Sequence, residues 1–123
     1  MKKARVLSIL SGLFLSTLIS CSKKPDATCP GYAIYIPNSF SPNGDEINDV
    51  FKAKGKGMYD YEMLIFNNSG NQIYKTTDFN VGWNGAVQGD TAICPQGAYI
   101  YQIKAMDECG NQHSYAGNLS LLK

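Results

Sequence analysis

"GAYIYQIKAMDECGNQHSYAGNLSLLK" closes the chain, from Gly97 to Lys123. Tyr99, Tyr101, Ile103 and Ala105 alternate with Ile100, Gln102, Lys104 and Met106. A period of two is the signature of a strand with two distinct faces. Cys109-Gly110-Asn111 is a turn signal, and the chain beyond it carries Leu119 and Leu121 on one face of a returning strand. Residues 97–107 and 112–123 therefore read as an antiparallel hairpin.

Upstream, the same period recurs. "YEMLIFNNSGNQIYKT" (61–76) is a second hairpin, with Met63 and Ile65 on one face, Leu64 and Phe66 on the other, and a turn at Asn67–Asn71. "YAIYI" (32–36) reads as a first strand and "DVFKAKG" (49–55) as another. No segment has the 3.6-residue period of an amphipathic helix. Short strands separated by Gly/Asn turns predict an all-β fold, an immunoglobulin-like antiparallel β-sandwich of about seven strands. Trp83, in "GWNG", is expected to plug its core.

The N-terminus has a different grammar. Lys2, Lys3 and Arg5 precede an apolar run, Val6–Ile19, that ends in Leu18-Ile19-Ser20-Cys21. This is the pattern of a secretory signal. Its end resembles a bacterial lipobox, which implies cleavage before Cys21 and acylation of that cysteine. The chain divides accordingly into a lipoprotein signal peptide (1–20), a lipidated Cys21 with a polar tether (21–31), and a sandwich domain (32–123). Loss of the three basic residues of the signal leaves eight Lys against ten acids. No basic stripe survives, so nucleic acid is not an expected partner.

Cys29, Cys94 and Cys109 remain, in an oxidising compartment that permits a disulfide. An immunoglobulin-like topology carries the first strand away from the end where the last hairpin turns. Cys29 precedes that strand and Cys109 lies in that turn, so the two are expected to pair. Cys94 is separated from Cys109 by a strand of nearly 30 Å, far beyond the Cα spacing of about 7 Å that a disulfide tolerates. It is expected to be free or buried.

"SPNGDEINDVF" (41–51) crowds Asn43, Asp45, Asn48 and Asp49 into one loop. Calcium needs six to eight hard oxygen ligands, and these four side chains are the calcium candidates. No other metal or cofactor is expected. The spacing departs from a calcium loop after Asp45, and the loop reads chiefly as a structural corner in which Asp45 and Asn48 bond backbone amides. Asp107 and Glu108 read as solvated turn residues, and His113 has no evident partner. The chain is therefore expected to be no enzyme and to have no small-molecule substrate.

Taken in order, these blocks are familiar. Pro37-Asn38, Ser41 to Asp45 with Gly44, Asn48-Asp49-Val50-Phe51, Ile65-Phe66-Asn67, Gly70-Asn71, Trp83-Asn84-Gly85, Pro95-Gln96-Gly97, Tyr99 and Tyr101 resemble the gliding motility-associated C-terminal domain. That family is also described as the type B sorting domain of the type IX secretion system of Bacteroidota. The likeness covers about residues 34–122. Glu46 stands where the family pattern usually carries Gly, and the module is expected to travel without a cargo domain. The resemblance implies a module of the secretion or gliding machinery, held at the outer membrane by its lipid and docking on an outer-membrane protein of the PorP/SprF type. Which face of that membrane it occupies is left open. A free-standing surface adhesin or glycan-binding sandwich is the alternative, and an exposed aromatic platform would favour it.

Overall fold

The computed structural model describes residues 29–123, so the expected signal peptide, Cys21 and most of the expected tether lie outside the described residues. Seven strands follow one another: β1 (Ala33–Tyr35), β2 (Ser39–Phe40), β3 (Lys54–Lys56), β4 (Met58–Phe66), β5 (Gln72–Thr76), β6 (Gly97–Asp107) and β7 (Gln112–Leu121). They form a five-stranded sheet, ordered β2-β7-β6-β4-β5, and a two-stranded sheet, β1-β3. The described chain is all-β and its two layers make a sandwich.

The pairing is antiparallel except at β2, which runs parallel to β7 through Ser39↔Ser120 and Phe40↔Leu121. The sequence gives little sign of β2: it is two residues long, and Pro37 and Pro42 flank it. The expected strand at 49–55 is likewise shorter. Phe51 makes only an isolated bridge to Trp83, and regular pairing begins at Lys54.

The long hairpins follow the period-two reading. Met63, Ile65, Ile103, Leu119 and Leu121 are fully buried between the layers, with Tyr61, Tyr99 and Ala105 beside them. The second layer is thin. Besides β1 and β3 it consists of irregular chain between β5 and β6, so its cohesion rests on individual residues. Trp83 is the main one. It is wholly buried and tilted against Phe40 and Tyr99 at centroid distances of 5.3 Å. Its indole N–H donates to the Ala86 carbonyl at 2.7 Å. Its backbone exchanges two hydrogen bonds of 2.8 Å with Phe51. Gly85 follows it at φ +95°, and a Cβ there would stand 3.3 Å from Ile93 and from Pro42.

Two changes test this packing. Trp83→Ala is expected to cost about 3–5 kcal/mol in urea unfolding, the usual range for emptying a large aromatic site. Gly85→Ala is expected to cost more than about 1 kcal/mol, because it combines left-handed backbone with crowding.

Candidate functional site

The sandwich has two poles. β7 is ten residues long, so the poles stand about 30 Å apart. The β6–β7 turn marks one pole. There Cys29, which is buried, is bonded to Cys109 with a Cα separation of 5.8 Å. The bridge closes a separation of 80 residues, and Cys94 is free and partly buried.

Asp107 organises this turn. It is almost wholly buried, contrary to the expectation of a solvated turn acid. Its Oδ1 accepts the Cys109 and Asn111 N–H groups at 2.9 Å. Its Oδ2 accepts the Asn111 side-chain amide at 3.1 Å and lies 2.8 Å from His113 Nε2. The hairpin register explains the pair. Ala105 faces His113 across the ladder, and Asp107 is the next residue on that face. An Asp opening a Gly-Asn turn, with a His two places beyond it, was the available signal. His113 stacks on Tyr32 at 4.1 Å, and the Tyr32 and Tyr115 hydroxyls meet at 2.6 Å.

Burial alone would raise the Asp107 pKa, but His113, both Asn111 donors and the Cys109 N–H overcome it and hold the carboxyl at about 2. The Cys29 and Cys109 sulfurs and an Asp107 oxygen lie within 4.8 Å of one another. With the sulfurs joined to each other, this group offers no thiolate pair to a metal.

The opposite pole gathers the motif residues. Phe40 and Leu121 bring the chain there, Gly97 pairs with Leu121, and Pro42 touches the Gly85 site. The loop between is a corner built around Asp49. One Asp49 oxygen accepts the Asn43 and Gly44 N–H groups at 3.0 Å, and the other accepts the Glu46 N–H. Asn43 Oδ1 takes the Asp45 N–H at 3.1 Å, and Asp45 Oδ1 takes the Ile47 N–H at 2.9 Å. Asp45 thus bonds the backbone as expected, but the hub is Asp49. Asn48 acts through its main chain instead, accepting the Ser41 N–H on its carbonyl.

The calcium candidates therefore aim side-chain oxygens of Asn43, Asp45 and Asp49 at their own loop. Glu46 and Asn48 have φ of +67° and +55°, so two non-glycine residues occupy left-handed backbone. Between them Ile47 is 66% exposed. Two further motif residues, Asn84 and Pro95, also bond within the fold. Asn84 Oδ1 caps the Ala86 N–H at 3.0 Å, and the Pro95 carbonyl accepts the Tyr99 hydroxyl at 2.6 Å.

Beside this corner lies a cleft of about 310 Å³, walled by Tyr35, Pro37, Val50, Lys52 and Lys54, with Glu46 and Asp49 at its loop end. Sequence alone did not sort the tyrosines. Tyr61 and Tyr99 are core, whereas Tyr35 is 64% exposed and Tyr59 54%.

Residues 34–121 match the CHU_C type IX secretion signal domain. The chain belongs to that family. The match spans nearly all of the described sandwich, both poles included. No curated protein matches the chain at a significant level. Among solved structures, the domain is similar to one titled "The crystal structure of CopC from Methylosinus trichosporium OB3b". Identity is 10%, the TM-score is 0.44, and the alignment covers 71% of this chain and 84% of that one.

Three outcomes follow from the geometry. Asp49→Ala removes the acceptor of three N–H groups and is expected to lower stability by about 1–2 kcal/mol, as loss of a helix cap does. The melting temperature of the parent, with Asp49 intact, should be equal in calcium and in chelator. Glu46→Gly is expected to raise stability by about 1 kcal/mol, through relief of left-handed strain. The Asp107 carboxylate, with its depressed pKa, contributes stability that is complete above its ordinary value of 3.8 and is lost as pH falls through about 2. Acid unfolding curves of the parent and Asp107→Asn should therefore converge toward pH 2.

Proposed function

We propose that this chain is a non-enzymatic envelope module of the type IX secretion or gliding machinery. In this reading it is anchored to the outer membrane through acylated Cys21 and acts by docking on an outer-membrane protein of the PorP/SprF type. The observation that carries the reading is the family match across residues 34–121. The lipobox-like Leu18-Ile19-Ser20-Cys21 supports the anchor. Acyl chains confer membrane affinity at about 0.8 kcal/mol per buried methylene, and confinement at the membrane raises the effective concentration for a partner there.

The chemistry of the described residues supports a binding role. The single histidine is engaged by Asp107 and stacked on Tyr32, and no hydroxyl or thiol nucleophile is hydrogen-bonded to it. The side-chain oxygens of Asn43, Asp45 and Asp49 are engaged within their own corner, which supports recognition by a presented surface. The adhesin or glycan-binding alternative gains from the exposed ring of Tyr35.

Two measurements test this reading. In Cys21→Ser, precursor should accumulate and globomycin-sensitive maturation should disappear; normal processing of the variant would remove the anchor from the account. Affinity capture of the chain from detergent-solubilised envelopes should recover a secretion or gliding component. Recovery of none would contradict the docking role.

A further inference from the structure

Contrary to the expectation that no basic stripe survives, the outward face of the small sheet carries a short row of cations. Phe51 and Ala53 are buried, so the alternate residues Lys52 and Lys54 point away from the core. Lys56 continues the row. Across the sheet, Tyr35 pairs with Lys54 and Ala33 with Lys56, which places the exposed tyrosine ring on the same face beside the middle lysine. Successive lysines stand about 6–7 Å apart in extended chain. The two ion pairs among the described residues are Lys75–Glu62 and His113–Asp107. Neither involves this row. Pro37 and Val50 add apolar surface to the cleft at its end.

We propose that this face is a binding strip for an acidic polysaccharide. Three unpaired lysines in a line match a linear polyanion. A solvent-exposed phenol among them offers a flat apolar surface to the C–H face of a sugar ring and a hydroxyl to its polar rim. A planar lipid surface fits the row less well. Lys56 lies toward the disulfide pole, where Gly57 meets Gly31, and Lys52 lies toward the Asn43–Asp49 corner, so the row runs from one pole toward the other. A bilayer touching either pole would meet one lysine, whereas an extended polymer meets all three. Asp49 and Glu46 bound the strip at the corner end and set where an anionic chain must stop or turn. This activity does not depend on the anchor or on a secretion partner.

The test uses the full lipidated chain in neutral detergent micelles, with polygalacturonate as the probe and dextran as the uncharged control. Polygalacturonate should bind and dextran should not, and the affinity should fall with added salt, with a log–log slope reduced by up to about one for each lysine removed. Combined Lys52→Gln, Lys54→Gln and Lys56→Gln should weaken binding more than about tenfold. Tyr35→Ala should weaken it by about threefold or more at unchanged salt slope, the scale of one aromatic contact. Tyr35, Lys54 and Lys56 are exposed and Lys52 is half-exposed, so the circular dichroism of both variants should be that of the parent. Absence of polygalacturonate binding, or full binding by the triple variant, would overturn the proposal. Unchanged binding by Tyr35→Ala would reduce the strip to bare electrostatics and overturn it as a site. Preferential displacement of the probe by short-chain phosphatidylglycerol would transfer the face to a lipid headgroup, with the same consequence.

Discussion

The fold depends on one residue pair, Phe51 and Trp83. Their backbones exchange two hydrogen bonds and both side chains are wholly buried. The five-stranded sheet has long ladders that hold it together along β4, β6 and β7. The layer that covers it does not. That layer has two three-residue strands and a long irregular run, and short isolated pairings of this kind are marginal in water. The bridge between Phe51 and Trp83 joins the chain leaving the Asn43–Asp49 corner to the segment before β6. The indole then fixes the next turn through Ala86. The irregular segments between the corner and β6 are held to the sheet chiefly through that plug.

The corner is a second constraint, and it shows what Asn43, Asp45 and Asp49 do in this chain. Asp49, Asn43 and Asp45 satisfy five N–H groups of their own loop. This network over-determines the backbone enough to hold Glu46 and Asn48 in left-handed conformation, a strain that persists only where surrounding bonds enforce it. The motif is therefore a device for shape. Exposed surface lies beside it: Ile47 on the loop, and Tyr35, Val50 and the lysine row on the small sheet. At the other pole, the disulfide fastens the start of the domain to the tip of the strongest hairpin. A loop of about 80 residues constrained in this way is worth about 4 kcal/mol in the chain-entropy picture.

Much of this was legible in the residues. β6 and β7 follow the period-two pattern almost to the residue, and the Met63/Ile65 face is the buried one. Trp83 reads as core because a small sandwich has few other places for an indole. The all-β class and the family follow from strand spacing and from motif order. What escaped was long-range or main-chain in origin. The parallel β2 is too short and too Pro-flanked to announce itself. Asp107 looked solvated because its burial depends on the hairpin turn folding back over it and on His113 arriving from the return strand. Residue type does not say which acid of a loop points inward, so the sequence favours Asp45 and Asn48 where Asp49 is the hub. The lysine row was invisible until β1 and β3 were paired, since only the register sets Tyr35 beside Lys54.

The central claim is that the irregular layer is a rigid cover, closed onto the sheet by Phe51 and Trp83. Native-state hydrogen exchange at these two amides tests it most directly. The account predicts that both exchange only through global unfolding, with the same free energy and denaturant dependence as Ile103 and Tyr115 in the central hairpin. Exchange at a distinctly lower free energy, insensitive to denaturant, would show that the cover opens locally while the sheet stays folded, and would contradict it.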